Sequence, residues 1–560
     1  MVVPAVVRCS TAARRGIAAT AGLPAAPPVP RRLLPQPLPR RTYSPAGKLR
    51  EFHATCRAGG SWLDDGIEAR PPVAPDPSLF GPDLAPVPAE QRTFSTWDMT
   101  ALWIGLVVSV SSWFLAGGLV ELGMSWSQGI SCILLANLLV LAPMVLIGHA
   151  GVKYGVPFPV LARSSFGVRG AVLPAVLRGL VAAGWFGLNT WLGGAAIHQM
   201  LQTLGVLSGA GAIVPWLGIT GTQAACFLAF WTMQLGVLLR GMEGIRLLEK
   251  YSAPVLIALT VALLGWAVRA AGGFGPMLAA PSSLQPGTFW PVFIASLSPQ
   301  IGYWATLTLN IPDFTRWARS QRAQVVGQAI GLPLFQAAFC FAGLAVTSAT
   351  VVLFGSAISD PIALLSRVQG VWGIAAALVG LVLATLTTNI AANVVAPANA
   401  FVALAPSRFT FAGGALLTSL LGLACKPWLL ISSTSNYFNF LTGYSVVLGP
   451  IAGILTADYH LLRHRQLDLD ALYSAAPGGP YWYRGGWNLA ALAALLAGAL
   501  PTLPGLLHIL FGLAVPQALV ALYTQAAWPT GFFVAGAVYL ALMRRRYWLQ
   551  PQEALVGAAA

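Results

Sequence analysis

Residues 373–399 read GIAAALVGLVLATLTTNIAANVVAPAN, an apolar run that continues into threonines and asparagines without a single charge. The apolar half has the composition of a membrane helix, which needs about 20 such residues. Amide groups are costly in hydrocarbon unless they find hydrogen-bond partners or line a wet cavity. The stretch therefore predicts a membrane helix that presents polar groups to a neighbouring helix or to a ligand.

The rest of the chain has the same character. Its 560 residues are 56% hydrophobic and 9% charged, with a mean hydropathy of +0.71, whereas soluble globular chains carry about 25% charged residues. We interpret it as an all-α membrane protein with many spans. The six cysteines lie far apart, and no phosphate loop or nucleophile elbow occurs, so we expect no zinc site, no disulfide framework, no cofactor and no enzymatic activity.

Twelve segments are predicted to be membrane helices. They cover residues 98–121, 127–148, 171–202, 213–239, 251–271, 288–311, 325–354, 371–399, 409–425, 433–459, 487–511 and 515–543. With residue 97 on the inner side, the inner loops carry sixteen Lys or Arg residues and the outer loops three, as the positive-inside rule requires. Most of the net charge of +15 is thus explained by the Lys and Arg residues that orient the chain in the membrane. No nucleic-acid partner is expected.

The N-terminal region differs from the spans. Residues 1–50 hold nine Lys or Arg and no acid, and prolines crowd residues 24–39. A basic, acid-free N-terminus without a long apolar stretch is typical of an organelle transit peptide, and a disordered cytosolic tail is the alternative. Composition alone does not separate plastid from mitochondrion, and nothing in the sequence indicates an oligomeric state.

The predicted spans are poor in ionisable side chains. Every acid after residue 95 falls at the end of a predicted helix or in a loop, and we place no charged side chain at mid-membrane depth. Such groups mark proton relays and the counter-ions of charged substrates. The sequence therefore favours a neutral cargo and argues against nucleotides, sugar phosphates and dicarboxylates.

Two of the predicted spans contain tryptophans together with amide side chains. Trp185 and Asn189 are four residues apart in GWFGLNTWLGG, on one face of a helix, and Tyr303 and Trp304 lie in QIGYWATLTLN. A tryptophan face with a carboxamide beneath it suits a flat heterocycle, which stacks on the ring and exchanges hydrogen bonds with the amide. Helix packing explains most single tryptophans, but two such segments far apart in sequence favour a ligand site.

Several stretches resemble the nucleobase:cation symporter-1 family. They are LAGGL (115–119), KYGVPFPVLARSSFGVRGA (153–171), the helix of Trp185, LNIPDFTR (309–316) and TTNIAANVVAPAN (387–399). The resemblance implies a fold of the leucine-transporter type, with two inverted repeats of five helices and breaks in helices 1 and 6 beside the substrate. It implies cation-coupled symport of neutral nucleobases or related heterocycles such as allantoin, and the basic leader resembles those of plastid members of the family.

This resemblance also divides the chain into four parts. Residues 1–95 become a leader and linker, residues 96–465 a ten-helix transporter core, residues 466–545 two peripheral helices and residues 546–560 a short tail. The core and the peripheral helices lie in the lipid bilayer, and we expect that bilayer to be the plastid envelope.

Carried onto this sequence, the resemblance implies a substrate site between two tryptophans. Trp185 and Trp304 would hold the ring, Asn189 and Asn393 would bond its polar edge, and Asn389 would sit beside the pocket one turn from Asn393. Many members of the family carry Gln where this chain has Asn189, so the preference among purines, pyrimidines, hydantoins and allantoin stays open.

The coupling ion is Na⁺ or H⁺. For Na⁺, the resemblance implies a site made of the hydroxyls of Thr387 and Thr388 and the carbonyls of Ala384, Gly105 and Val108. Small polar residues also bond across packed membrane helices, which is the simpler explanation of the threonines. An amino-acid or amine transporter of similar fold, and a receptor or channel, are the other hypotheses.

Overall fold

The computed structural model describes most of the chain beyond the leader. It covers residue 63 and the ranges 65–68, 71–72, 75–208, 211–238, 257–367, 370–406 and 408–556. Residues 1–62, which include the predicted transit peptide, lie outside the described residues. Six of the described helices are long and apolar enough to cross a membrane, or eight if each of two bent pairs is one span.

Each of the twelve predicted spans contains a helix, and we number the helices accordingly. The first five are α1, made of α1a (Thr96–Val107) and α1b (Val110–Glu121), α2 (Trp126–Tyr154), α3 (Val172–Thr203), α4 (Gly221–Leu238) and α5 (Ile257–Ala270). The next five are α6 (Phe289–Asn310), α7 (Gln321–Phe354, with a π-helical turn at Ile330–Phe335), α8 (Val371–Asn393), α9 (Phe411–Ala424) and α10 (Thr434–Leu462, ending in a π-helical turn at Ala457–Leu462). The last two are α11 (Leu489–Ala499 and Leu503–Phe511) and α12 (Gln517–Val556).

Short elements precede α1 and connect the long helices. Six are α-helical: Phe158–Phe166, Phe274–Leu278, Pro312–Thr315, Pro361–Leu365, Val395–Leu404 and Leu469–Leu472. Three are 3₁₀ turns: Pro82–Leu84, Ala89–Gln91 and Pro427–Leu429. The strands β1 (Ile213–Val214) and β2 (Ile219–Thr220) form the two-stranded sheet found among the described residues.

The fourth predicted span begins as a hairpin and not as a helix. β1 pairs antiparallel with β2, with Ile213 opposite Thr220, and α4 starts only at Gly221. Pro215 follows β1 and has no backbone N–H to give to a helix. Gly218 then turns the chain with φ +76°, a conformation that glycine adopts at little cost. The prediction of a helix from residue 213 was therefore wrong by about two turns.

The break in helix 1 is present. α1a and α1b meet at 63°, because Val108 (φ −75°, ψ 86°) and Ser109 (φ −146°, ψ 155°) leave the helical region. The Ser109 hydroxyl caps α1b by accepting a hydrogen bond from the backbone N–H of Ser112. Among the described residues, no hydrogen bond reaches the carbonyl oxygens of residues 105–108, as expected at the end of a helix.

The break expected in helix 6 does not occur at mid-helix. α6 runs unbroken from Phe289 to Asn310 with Pro299 inside it. Proline removes one backbone hydrogen bond and usually kinks a helix without ending it. The chain leaves the helix at Ile311 and enters the turn Pro312–Thr315. The irregular backbone was predicted inside helix 6. In the structure it follows the polar end of α6.

α8 is the helix that carries the opening stretch of sequence. It packs along α3 and contacts both halves of α1. It ends at Asn393, and Val394 (φ −114°) separates it from the helix Val395–Leu404. The threonines and asparagines of residues 387–393 thus face helices on two sides, at the level of the break in α1.

The segment before α1 packs on the connections at the predicted inner side. The Asp76 N–H donates to the Tyr473 carbonyl at 2.9 Å, and the Tyr473 hydroxyl donates to the Leu84 carbonyl at 2.6 Å. Arg163 donates to the Leu79 carbonyl at 2.8 Å, and the Val87 N–H to the Gly155 carbonyl at 3.0 Å. Residues 76–87 are thus held by the α2–α3 and α10–α11 connections.

Candidate substrate and cation site

A small cavity lies where the break in α1 meets α3, α6 and α8. It is lined by Leu106, Ser111, Trp185, Asn189, Tyr303, Trp304, Thr306, Leu307, Thr388, Ala392 and Asn393. Its volume, counted as the space open to the centre of a water molecule, is ≈ 30 Å³, enough for about two waters. A heterocycle therefore fits only when the side chains around the cavity move apart.

Five of the ten predicted site residues line this cavity. They are Trp185, Asn189, Trp304, Thr388 and Asn393. Five others do not line it: Asn389, Thr387, Ala384, Gly105 and Val108. The structure thus brings together four of the predicted substrate residues and one predicted cation ligand, from three different helices.

The two tryptophans flank a third ring and do not meet face to face. Tyr303 contacts Trp185 edge to face, with ring centroids 5.2 Å apart, and contacts Trp304 in the same way at 4.8 Å. The Trp304 indole N–H donates to Gln336 Oε1 of α7. The Trp185 indole N–H donates to the Tyr444 hydroxyl of α10 at 3.3 Å. Both indoles are therefore anchored at their polar edge, and their rings also contact other aromatic side chains: Trp304 contacts Trp103, and Trp185 contacts Phe440.

Two amides present free acceptors at the cavity. Asn189 donates its Nδ2 to the Trp185 carbonyl at 3.2 Å, and Asn393 donates to Asn389 Oδ1 at 3.0 Å. In the part of the chain that the structure describes, neither Asn189 Oδ1 nor Asn393 Oδ1 forms a hydrogen bond. A heterocycle with N–H groups along one edge finds two acceptors here.

Asn389 does not line the cavity, and its amide bonds other protein groups. Its side chain is fully buried and donates to the Phe186 carbonyl of α3 at 3.0 Å and to Gln234 Oε1 of α4 at 2.7 Å. Its oxygen accepts the hydrogen bond from Asn393. Because its amide is occupied by protein groups, Asn389 positions Asn393 and does not contact the cavity. The Gln234 partner is 155 residues away, so sequence spacing gave no sign of it.

Thr388 lines the cavity with a hydroxyl that lacks a hydrogen-bond partner among the described residues. A threonine in a helix usually bonds a carbonyl three or four residues back, and Thr387 does so with the Ala384 carbonyl at 2.8 Å. The Thr388 hydroxyl is buried, and no described residue bonds it. A buried hydroxyl in that state costs about 1–3 kcal/mol. Its oxygen is therefore available to a ligand in the cavity.

The two α1 residues of the predicted cation site differ in burial. Val108 is buried and Gly105 is exposed, and both have carbonyl oxygens that no described group bonds. Within the described residues, no group of three His, Cys, Asp or Glu side chains is placed to hold a metal ion. The ligands on offer are neutral hydroxyl and carbonyl oxygens, which suit a weakly held hard cation and not a transition metal.

Three serines near the cavity were not singled out from the sequence. Ser109, Ser111 and Ser112 surround the Tyr303 hydroxyl, at 3.2, 3.1 and 2.8 Å. The sequence signal was the run VSVSSWF (108–114), three hydroxyls within an otherwise apolar predicted span. The cluster ties the start of α1b to the aromatic side of the site.

One ionisable side chain inside the spans was also missed. Arg178 lies in the second turn of α3 and is fully buried, and it donates to the Thr306 carbonyl at 3.1 Å and to Asn310 Oδ1 at 2.9 Å. Just beyond α6, burial raises the pKa of Asp313 to about 6, and Phe158 N–H donates to its carboxylate. Arg178, inside the predicted span 171–202, was not among the predicted site residues, and it joins α3 to the end of α6.

The fold and the site define an integral membrane transporter. The fold is similar to that of Mhp1, described as a nucleobase-cation-symport-1 family transporter. The match to its inward-facing form has a TM-score of 0.69 and 24% sequence identity and covers 86% of this chain and 96% of that one. The match to its closed form with bromovinylhydantoin bound has a TM-score of 0.68 over 83% of this chain. The predicted leucine-transporter-type fold is confirmed.

Sequence comparisons identify the family. Residues 86–531 match the model for permeases of cytosine and purines, uracil, thiamine and allantoin, and the chain belongs to that family. It is 50% identical over 472 residues to a purine-uracil permease of Arabidopsis thaliana, covering 84% of this chain and 78% of the relative. It is 38% identical to an allantoin permease of Bacillus subtilis, covering 83% and 93%. The predicted family resemblance is confirmed.

Proposed function

We propose that this protein is a secondary active transporter that carries a neutral nucleobase or a related heterocycle across a membrane together with a cation. The observation that carries the proposal is the convergence of Trp185, Trp304, Asn189 and Asn393 on one cavity at the break in α1. No charged side chain is among the described residues that line it. Relatives named for purines, uracil and allantoin support this substrate class.

An amino-acid or amine transporter of similar fold is the second candidate. Such a substrate carries a carboxylate and an ammonium group, and each needs a compensating charge or dipole when it leaves water. The cavity offers indole faces and amide oxygens instead, which match the faces and the N–H edge of a heterocycle. This difference favours the heterocycle.

For the cation we propose Na⁺, held by the Thr388 and Thr387 hydroxyls and the Ala384 carbonyl of α8 with backbone carbonyls of the α1 break, Gly105 and Val108. The support is the buried, unbonded Thr388 hydroxyl and the unbonded α1 carbonyls. Because Thr388 also borders the cavity, an ion on its oxygen changes the substrate site directly. Proton coupling is the alternative outcome of the tests below.

Uptake in a yeast strain without its own nucleobase transporters tests the substrate class. We expect saturable uptake of radiolabelled uracil, adenine, guanine or allantoin, with competition among those that bind. The assay is run with and without Na⁺ and with a protonophore. If the protein reaches the cell surface and transports none of the four compounds, the proposed substrate class is wrong. If uptake is inhibited by the protonophore and does not depend on Na⁺, the coupling ion is H⁺ and not Na⁺.

Thr388→Ala is expected to weaken coupling more than substrate recognition. The change removes one cation ligand and leaves both tryptophans and both amides in place, so half-maximal uptake requires more Na⁺ while substrate affinity at saturating Na⁺ changes little. Na⁺ titrations of uptake measure this. The matched control is Thr385→Ala, one turn earlier on α8, whose hydroxyl bonds its own helix at the Leu381 carbonyl. Equal Na⁺ dependence in wild type and Thr388→Ala contradicts the assignment.

We also propose that the protein resides in the plastid envelope and that residues 1–62 direct it there. The support is the basic leader, which has no acid in residues 1–50, together with two contacts of the segment at residues 65–68: Asp65 lies 3.3 Å from His149, and Glu68 pairs with Lys153 at 3.1 Å. A transit peptide must end before these contacts. We therefore expect deletion of residues 1–62 to leave transport intact and deletion of residues 1–92 to reduce folded protein.

Two fusions test the leader. Residues 1–62 joined to a fluorescent protein are expected to accumulate in plastids, and residues 63–95 joined in the same way are expected to stay in the cytosol. Diffuse or mitochondrial signal from the first fusion would contradict the plastid assignment. Full transport by the chain that lacks residues 1–92 would contradict the role of the packed segment.

A further inference from the structure

The Tyr303 ring contacts both tryptophans of the proposed site. Its ring stands nearly perpendicular to both, at 89° to Trp185 and 87° to Trp304. It lines the same cavity and is 7% exposed. A flat ligand between the indoles therefore has the edge or face of Tyr303 as its next neighbour.

Tyr303 is fixed at both ends. Its hydroxyl lies within 3.2 Å of three serine hydroxyls at the start of α1b, and burial makes each of those hydrogen bonds expensive to lose. Its backbone is held by the preceding residue: a Cβ on Gly302 would lie 2.3 Å from the Leu441 carbonyl of α10, so α6 and α10 touch there. Swinging the ring aside would require α1b or α10 to move.

From this geometry we infer that Tyr303 is a specificity-determining residue that limits the size of the heterocycle, by closing the side of the site between Trp185 and Trp304. The inference rests on the proposed function. Removing the phenol ring leaves a space on the scale of the engineered cavities of about 150 Å³ that bind benzene. A substrate enlarged by one aromatic ring then fits where wild type excludes it.

Competition assays test the size limit. Uptake of the radiolabelled parent compound, adenine or uracil, is inhibited either by the same parent or by its benzyl-substituted analogue, and the ratio of the two inhibition constants is the readout. In Tyr303→Ala we expect this ratio to shift toward the benzyl analogue by about 10- to 200-fold relative to wild type, the range that hydrophobic pockets achieve for small changes in fit. Tyr303→Phe keeps the ring, so its ratio is expected to stay near that of wild type.

Phe440→Ala is the matched control for loss of a ring. Phe440 contacts Trp185 edge to face at 5.6 Å from α10 but does not line the cavity. We expect its ratio to stay near that of wild type. If Tyr303→Ala does not reach the membrane, Tyr303→Leu takes its place with the same readout.

The outcomes separate the inference from the function on which it rests. A shifted ratio in Tyr303→Ala with unshifted ratios in Tyr303→Phe and Phe440→Ala supports the size limit. An unshifted ratio in a Tyr303→Ala protein that still transports the parent overturns it, as does an equal shift in Phe440→Ala. Failure of wild type to take up any parent compound overturns the proposed function instead.

Discussion

Trp185→Ala and Trp304→Ala are each expected to raise the substrate concentration for half-maximal uptake by about 5- to 150-fold. Stacking of a base on an aromatic side chain contributes about 1–3 kcal/mol, and about 1.4 kcal/mol corresponds to a factor of ten. Both indoles are almost fully buried, at 5% and 2% exposure, so a substrate that replaces their present neighbours gains most of that contact. Concentration series of radiolabelled uptake, normalised to surface protein, measure the effect.

Trp191→Ala is the control for these two variants. Trp191 lies on α3 like Trp185, but it packs against Trp428 at 5.6 Å and Phe227 at 6.2 Å, outside the cavity. We expect it to change protein abundance and to leave the affinity of the remaining protein unaltered. Unchanged affinity in both Trp185→Ala and Trp304→Ala would make these tryptophans packing residues and would remove the ring site.

Asp458→Ala is expected to destabilise the protein by about 3–5 kcal/mol, the cost of breaking a buried ion pair by removing one partner. Asp458 is fully buried, pairs with Arg463 at 2.8 Å and accepts hydrogen bonds from Ser164 at 2.8 Å and Tyr539 at 2.7 Å. The carboxylate thus joins α10, α12 and the helix Phe158–Phe166. Its loss removes one acceptor from the Arg463 guanidinium and from the Ser164 and Tyr539 hydroxyls.

Thermal denaturation of the purified protein in detergent measures that loss. Glu90→Ala is the control, because Glu90 is an exposed acid near the same predicted inner side and such changes usually stay within about 0.5 kcal/mol. We expect a clear fall in melting temperature for Asp458→Ala and none for Glu90→Ala. Equal melting temperatures for the two variants would show that the buried pair does not hold α10 and α12 together.

The positions of the long helices and of Trp185, Trp304 and Asn393 were predictable because they depend on local composition and on motifs. Runs of about 20 apolar residues define spans whatever they pack against. Trp185 and Asn189 share a face because four residues make about one helical turn. The family resemblance then placed these residues in one site, and the structure brings them to one cavity.

Contacts between distant segments were not predictable from the sequence. Asn389 bonds Gln234 and Phe186, and Tyr303 bonds serines about 190 residues earlier in the chain. Neither spacing nor composition contains such pairs, so Asn389 was placed beside the pocket without its partners and Tyr303 was given no role. Arg178 differs, because its charge was visible within a predicted span. The rule that charged groups in spans are functional or paired applied to it directly.

Reconstitution of the purified protein into liposomes tests the central claim most directly, because it isolates one substrate, one ion and one gradient. With an inward Na⁺ gradient, we predict that radiolabelled uracil, adenine or allantoin accumulates inside above its external concentration, and that the accumulation collapses when a sodium ionophore removes the gradient. Uptake that never exceeds the external concentration under either a Na⁺ or a proton gradient would contradict a cation-coupled transporter of heterocycles.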